Sequence, residues 1–488
     1  MRTAKRIGLR LAEANQSGRG RAGRYVSRGL VLSLAFALVL ASTWRPATGG
    51  AARPRVVENT VASGEVAHAG WGGRIAPGVI HRVIRKRKPR LVVHIVTADL
   101  QGRATIRPAL ATGILPGLET TSSMARRRHA VAAINGDFFH PSGRPIAAFA
   151  RKGRLAQTAL MPGANFAVAR ADEVMFIGHR RITASVADLE TGRTLNVGRV
   201  NSGPPSTTGL ALFTPDGGGL ELPPKGACSA RLREIGPYRA DLDGAMTVPV
   251  RVGKVACRKR RMTRAGTTVL SARWMGSHRR DISDLTRGQE MSITWRTGWP
   301  NIEDVIGGNP VLIRNGRIEW DSLSGSHYIF ARHPRSGVGL TDDGKVLLVA
   351  VDGRRPRHSV GMTLTAFAKL FKSLGATWAL NLDGGGSTTM VVRGRVVNKP
   401  SDRRERPVGS ALLVTMESGG SQKTAALDGP PPAEPIDGGS DAPIEAAALD
   451  PASIGGMASW LEARGHLGPE LQGVAERFDA QVRTDARR

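Results

Sequence analysis

The segment Asn381–Val392 reads NLDGGGSTTMVV, and it determines how the chain around it is predicted to fold. The strand-like run Trp378–Leu382 leads into Asp383, and three glycines and three hydroxyl residues follow. Successive glycines allow backbone N–H groups to point into one concavity, which favours an anion. No lysine follows as a P-loop requires, and no helical pattern opens here as in a dinucleotide-binding fingerprint. Because Met390–Val392 resumes strand character at once, the segment predicts a glycine turn held between two strands.

Upstream of this segment, one helix lies between two predicted strands. Thr363–Gly375 (TLTAFAKLFKSLG) repeats apolar residues at helical spacing, and its first and last residues are typical of a helix cap and stop. The run before it, Val346–Val351, is typical of a strand. A strand–helix–strand unit with a right-handed crossover would make the two strands parallel neighbours. Asp352 and Asp383 would then lie at like ends of these strands, where α/β sheets place functional residues.

The body of the chain, residues 90–416, carries frequent strand and turn signals. The Asn315-Gly316 pair between VLIR and RIEW predicts a tight hairpin, and residues 194–297 are typical of an inserted set of strands and turns. Cys228 and Cys257 lie in that insert, where they could pair across a hairpin or remain two free thiols. We therefore predict an α+β class for the domain 90–416, with a mixed β-sheet core, packed helices and an inserted β-rich region.

The two ends differ in composition from this body. Residues 1–28 hold eight basic residues against one acid, and the apolar run Leu30–Ala41 and several small residues follow. This pattern over residues 1–50 is typical of an export signal, with an uncleaved membrane anchor as the alternative. Residues 417–450 predict a disordered linker, and the weak amphipathic pattern of 451–488 predicts a short helical segment. We expect an exported protein, extracellular or periplasmic, or one anchored through its N-terminal segment.

The charge balance limits the classes of partner. Lys and Arg number 70 against 40 Asp and Glu, which gives the 488-residue chain a net charge of +30. Hydrophobic residues make up 41% and exclude a wholly disordered chain. Aromatic residues make up only 5% and no recognition motif is present, which argues against specific binding of nucleic acid. The excess of arginine instead suits peripheral association with an anionic membrane surface.

Three further clusters carry side chains suited to phosphates and sugars. Ala132–His140 (AAINGDFFH) ends an apolar run in an Asn-Gly-Asp triplet, and Arg332–Gly339 (RHPRSGVG) brings together two guanidinium groups and an imidazole. Val351–Met362 (VDGRRPRHSVGM) places an acid after a strand. Taken alone, each cluster also fits a structural role, as an Asn-Gly turn, a solvated basic loop and an Asp-Gly turn.

Together with GGNPVLIRNGRI (Gly307–Ile318) and ERPVGSALLV (Glu405–Val414), these clusters resemble the phosphodiester glycosidase family in order and spacing. The resemblance spans most of residues 89–416 and covers neither end of the chain. It implies hydrolysis of a sugar-1-phosphodiester at the anomeric carbon, and the best-known activity of the family removes N-acetylglucosamine from a phosphate-linked sugar. The implied partner is a phosphorylated glycan or another sugar phosphodiester.

The residue types in these clusters suit this reaction. Carboxylates support an oxocarbenium-like transition state as nucleophile, base or electrostatic stabiliser, and imidazoles transfer protons. The predicted catalytic residues are Asp137, Asp352, Asp383 and His333, with His358 as a second candidate for proton transfer. Donors must stabilise the phosphate charge and hold the sugar. The predicted substrate-binding residues are Asn135, Arg332, Arg335, Gly384, Gly385, Gly386, Ser387 and Thr388.

Two questions stay open at this level. No cofactor is required and no residue is assigned to a metal, although the three aspartates could bind a divalent cation through oxygen ligands. The alternative function is a non-catalytic envelope protein that binds anionic glycans or exopolysaccharide, since fold does not fix function.

Overall fold

The computed structural model describes residues 69–161, 163–169, 174–217, 227–240, 244–258, 268–319 and 331–417. The predicted export segment, the predicted linker beyond Glu417 and the predicted C-terminal helical segment lie outside these residues. Within them, none of the helices combines the length and the apolar character needed to cross a membrane.

Sheet I carries the candidate site at one of its edges, and all its pairings are antiparallel. Its strands are, in spatial order, β1 (Ala69–Ala76), β2 (Val79–Arg87), β3 (Arg90–Asp99), β22 (Lys345–Val351), β21 (Arg335–Thr341), β23 (Ala376–Asn381), β19 (Val311–Arg314) and β20 (Arg317–Ile318). The central strand β22 is apolar from Val346 to Val351, and both of its faces are buried there. Its Val346, Leu348 and Ala350 enter one core, and Leu347, Val349 and Val351 enter another.

Sheet II contains the segment predicted as an insert and extends from Thr183 to Arg296. Its strands are, in spatial order, β13 (Ala227–Glu234), β16 (Thr268–Arg273), β12 (Leu210–Phe213), β11 (Thr194–Val200), β10 (Thr183–Asp188), β17 (Glu290–Arg296), β15 (Ala245–Cys257) and β14 (Arg239–Ala240). A further pairing of β13 with β15 closes the sheet on itself and places Cys228 opposite Cys257. A disulfide bond joins these two cysteines.

Two five-stranded sheets complete the described part. Sheet III consists of β7 (Arg154–Gln157), β6 (Phe149–Arg151), β18 (Ile302–Gly308), β8 (Ala164–Ala169) and β9 (Val174–Gly178). Sheet IV consists of β25 (Arg395–Val396), β24 (Met390–Val392), β5 (Ala132–Asn135), β26 (Ser410–Met416) and β4 (Ala104–Leu110). Sheets I, III and IV share the main hydrophobic core, and sheet III also packs into the core of sheet II.

The α-helices of the described residues are few and short: α1 (Thr121–Arg127), α2 (Arg279–Ser283) and α3 (Leu364–Ser373). The predicted helix is confirmed as α3, because the Thr363 side chain accepts from the Ala366 N–H and the helix stops before Gly375. Its Phe367 and Phe371 are fully buried against sheet I. A Cβ on Gly337 of β21 would come within 3.0 Å of both rings, so glycine permits this close approach.

The predicted α+β class is wrong. The described chain is 51% strand and 10% helix, so it forms several packed sheets and not a sheet core covered by helices. The strong period of one helix suggested more helical packing than exists, whereas short strands paired over long sequence distances leave only weak local signals.

The predicted strand–helix–strand unit also needs correction. β22 and β23 run parallel, but β21 lies between them and pairs antiparallel with both, with Gly337 opposite Val349 and Asn381. Asp352 and Asp383 nevertheless follow the ends of their strands at the same edge, and Arg335 begins β21 there. The Asn315-Gly316 hairpin is confirmed by the pairing of Arg314 with Arg317.

Candidate active site

The Asp383 backbone is fixed by Asn135, which ends β5 and is fully buried. The Asn135 Nδ2 donates to the Asp383 carbonyl at 2.7 Å, and its Oδ1 accepts from Ser336 Oγ at 2.7 Å and from the Thr389 N–H at 3.1 Å. The Asp383 N–H donates in turn to the Gly136 carbonyl at 3.0 Å. Asn135, predicted to bind substrate, therefore ties three segments together around Asp383.

Asp137 lies two residues beyond β5 and is only 2% exposed. Its Oδ2 accepts from the Ala147 N–H at 2.8 Å, and its own N–H donates to Ser410 Oγ at 3.2 Å. Burial raises the pKa of the Asp137 carboxyl to about 7, and the nearby negative charge of Asp383 adds to this rise against the lowering effect of backbone donors. Asp137 can therefore carry a proton close to neutral pH.

Asp352 is buried and fully engaged by hydrogen bonds. Its Oδ1 accepts from the Lys399 N–H at 2.9 Å and from Asn398 Nδ2 at 3.2 Å, and its Oδ2 lies 2.7 Å from His358 Nε2. The Ser359 Oγ donates to the Asp352 carbonyl. A carboxylate held in this way fixes the orientation of the imidazole. His358 is the more accessible member of the pair, with a side chain 20% exposed.

A further histidine lies near this pair on β3. His94 is 4% exposed, and its ring stacks on that of His81 with centroids 5.5 Å apart. Burial lowers the pKa of His94 to about 3, and the charges of His81, Arg85 and His358 act in the same direction. His94 is therefore neutral at ordinary pH.

The glycine loop is the turn predicted from sequence. Gly385–Ser387 forms a short 3-10 helix between β23 and β24. The Gly385 N–H donates to the Pro334 carbonyl at 3.0 Å, so this predicted anion donor is engaged within the protein. The buried hydroxyls of Ser387 and Thr388 have no hydrogen-bond partner among the described groups, which leaves them able to bond a ligand.

The glycine loop packs against an ion pair that the sequence analysis did not identify. Asp402 Oδ2 accepts from Arg406 Nε at 2.8 Å, and a Cβ on Gly386 would come within 2.0 Å of Arg406 Nη2. A side chain at this position would require the Arg406–Asp402 pair to shift. The ERP segment, already part of the family resemblance, was the available signal for Arg406.

The remaining predicted residues lie at the start of β21 and just before it. Arg335 is fully buried, and its guanidinium donates to the carbonyls of Met362 and Ala331, each at 3.0 Å. Arg332 is exposed. His333 is partly exposed, and its Nδ1 lies 3.3 Å from Arg354 Nη2. Arg335 therefore supports the loop through its backbone contacts, whereas Arg332 and His333 lie nearer to solvent.

The described side chains were also compared with the ligand set that a resident metal needs. In the part of the chain that the structure describes, no three His, Cys, Asp or Glu side chains come together as a metal site requires.

Comparison with known proteins finds a matching family model. The phosphodiester glycosidase family model matches residues 254–415, which include Arg335, Asp352 and Asp383. Over this segment the chain is similar to the phosphodiester glycosidase family. The resemblance stated from the sequence motifs is confirmed. Asp137 and Asn135 precede the matched glycosidase segment, and their place beside Asp383 is given by the structure alone.

Sequence relatives match only part of the chain. A mouse protein, N-acetylglucosamine-1-phosphodiester alpha-N-acetylglucosaminidase, is 32% identical over 110 residues, which cover 20% of this chain and 21% of the mouse protein. The prophage-derived protein YomE of Bacillus subtilis is 40% identical over 84 residues, which cover 17% of this chain and 13% of YomE. The chain thus matches about a fifth or less of the length of these curated relatives.

Solved structures share the fold of the glycosidase segment and its surroundings. A hypothetical protein of Synechocystis superimposes with a TM-score of 0.55 at 20% identity, covering 70% of this chain and 62% of that protein. A Burkholderia pseudomallei protein, provisionally named an exported protein, superimposes with a TM-score of 0.50 at 24% identity, covering 67% and 74% respectively.

Proposed function

We propose that the protein hydrolyses sugar-1-phosphodiesters at the anomeric carbon, on cell-envelope or extracellular glycoconjugates. The observation that carries this proposal is the grouping of three buried carboxylates, Asp137, Asp352 and Asp383, at one edge of the sheets beside the glycine loop. The match of residues 254–415 to the phosphodiester glycosidase family model supports a hydrolase of this kind.

The carboxylates take different roles because their surroundings differ. Asp137 is buried and holds a proton near neutral pH, whereas Asp383 supplies a negative charge next to it. This pairing gives one proton donor and one stabiliser for an oxocarbenium-like transition state. Asp352 has both oxygens engaged, so it acts on the reaction through His358 as a positioning residue.

The bond changes follow from these roles. Water attacks the anomeric carbon and loses a proton to His358, while the bond between that carbon and the phosphate oxygen breaks. The leaving phosphomonoester takes the bonding electrons and a proton from Asp137, which regains one from His358 after turnover. Its remaining charge is stabilised by donors such as the hydroxyls of Ser387 and Thr388. The products are a free sugar and a phosphomonoester. N-acetylglucosamine is the proposed sugar, since the mouse relative is named for that substrate.

Export is part of the proposal. It is supported by the basic and apolar pattern of residues 1–50 and by the disulfide between Cys228 and Cys257, because disulfides persist in oxidising compartments. Cell fractionation with detection of the native protein tests it, and recovery in the cytosol alone would contradict it.

The activity is tested by incubating the full chain with a panel of sugar-1-phosphodiesters, including UDP-sugars, with and without a chelator. Asp383→Asn is expected to lower sugar release at least about 100-fold, since it removes the negative charge beside Asp137. Asp342→Asn is the matched control, because it removes an exposed carboxylate at the opposite edge of sheet I. Sugar release unaffected by Asp383→Asn would contradict the assignment. Glycan binding without any turnover would favour the non-catalytic envelope protein.

A further inference from the structure

Three separate segments of the chain bring exposed basic side chains to the surroundings of Asp352. They are the hairpin end formed by the last residues of β2, the turn and the first residue of β3, the loop after β22 and the loop that follows β25. We call their cations the basic rim, and it consists of Arg85, Lys86, Arg87, Lys88, Arg90, Arg357, Lys399, Arg403 and Arg404. All nine residues are exposed.

Hydrogen bonds hold these three segments together beside the site. Arg90 accepts from the Val360 N–H at 2.9 Å through its carbonyl, and its Nη1 donates to the Arg357 carbonyl at 3.0 Å. The loop after β25 is joined to the same place, because the Lys399 N–H donates to Asp352 Oδ1 at 2.9 Å. The basic rim is therefore a fixed part of the surface that borders the Asp352–His358 pair.

The charges of the basic rim are not balanced by carboxylates of the described residues. Among the described carboxylates, none lies within 4.0 Å of a cation of the rim, whereas Arg127, Arg151 and Arg193 elsewhere each contact a carboxylate. Asp402, the acid inside the third segment, is paired with Arg406. Like charges held this close repel one another, and an anionic partner relieves that repulsion.

We propose that the basic rim binds a polyanionic glycan whose repeating units are joined by phosphodiesters, and that it holds this chain across the site. Nine cations are more than one phosphodiester can use, so the partner carries several anionic groups. Because the rim borders Asp352, those groups belong to the polymer that contains the cleaved linkage. This inference rests on the proposed function and names its substrate class as polymeric.

The test measures binding of the full chain to poly(glycerol phosphate). This probe has repeating phosphodiesters and no glycosidic bond to phosphate, so binding to it does not depend on turnover. The triple variant K86Q/R87Q/R357Q is expected to bind roughly 10- to 100-fold more weakly and to show a smaller dependence on salt, by about two in the log–log slope. Its thermal unfolding should match the parent, because all three side chains are exposed.

The matched control is R231Q/R233Q/R287Q, which removes the same charge from exposed positions in and beside sheet II. Its affinity for the probe should stay within about twofold of the parent, since salt screens the general effect of charges outside the rim. Equal losses in the two triple variants would overturn the proposal. Binding to duplex DNA or to phosphatidylglycerol vesicles, without binding to poly(glycerol phosphate), would overturn it as well.

Failure of the rim and failure of the enzyme give different results. A protein that hydrolyses short sugar phosphodiesters but does not bind the polymer refutes the rim alone. A protein that binds the polymer through the rim but releases no sugar from any substrate refutes the hydrolase and leaves the binding surface established.

Discussion

Asp137→Asn is expected to stabilise the protein at high pH and to leave its stability nearly unchanged at low pH. Burial raises the pKa of Asp137 from its ordinary value of 3.8 to about 7. The folded state therefore keeps a proton that the unfolded chain releases. The resulting contribution to stability is fully present below pH 3.8 and is lost as the pH rises through 7.

The magnitude follows from the difference between the two pKa values. Each unit corresponds to about 1.4 kcal/mol, so the charged carboxylate costs the folded state about 4 kcal/mol above neutral pH. Between pH 5 and pH 8 the wild type should lose about 2–3 kcal/mol that the asparagine variant retains. Asparagine keeps an oxygen for the Ala147 N–H, so the hydrogen bond to this residue is preserved in the comparison.

Urea denaturation of both proteins at the two pH values measures this difference directly. Subtracting the pH dependence of the variant from that of the wild type cancels the titration of all other groups. The exposed Asp342→Asn serves as the matched control, and its double difference should stay within about 0.3 kcal/mol. A double difference below about 0.5 kcal/mol for Asp137→Asn would refute the reasoning that burial keeps this carboxyl protonated.

Three further substitutions test the contacts that shape the fold and the site. Asn135→Leu removes three buried hydrogen bonds and should lower the free energy of unfolding by about 3–5 kcal/mol; a loss under about 1 kcal/mol in urea denaturation would contradict its anchoring role. Glu405→Ala removes a carboxylate that accepts from the N–H and the hydroxyl of Ser122 at the start of α1, which should cost about 1–2 kcal/mol. Equal stability of that variant and the parent in urea would show that the helix start does not need this carboxylate. The double change C228A/C257A removes a disulfide that spans 29 residues and should cost about 3 kcal/mol in the same assay. An unchanged urea midpoint for this variant would argue against the bond as a stabilising element.

Local features of the fold were predictable from sequence. The helix after Thr363 and the hairpin at Asn315-Gly316 each depend on a few consecutive residues. The residues that predict each element are therefore the same residues that form it. The position of β21 was not predictable, because it precedes both β22 and β23 in the chain but lies between them in the sheet. Only long-range pairing decides that order, and for the same reason the α+β class was wrong.

The site was predicted in its residue types more than in its contacts. Sequence motifs placed Asp137, Asp352 and Asp383 among the candidates, and the structure brings all three to one region. The motifs could not show that Asn135 bonds to the backbone around Asp383, or that Asp352 is engaged on both oxygens. Those contacts come from segments that are far apart in the chain.

The position of bond cleavage tests the central claim most directly. The full chain should be incubated with a sugar-1-phosphodiester in water enriched in oxygen-18, and both products analysed by mass spectrometry. Attack at the anomeric carbon places the label in the free sugar and none in the phosphomonoester, which is the result we predict. Label in the phosphomonoester would show attack at phosphorus and would contradict the assignment of this protein as a glycosidase.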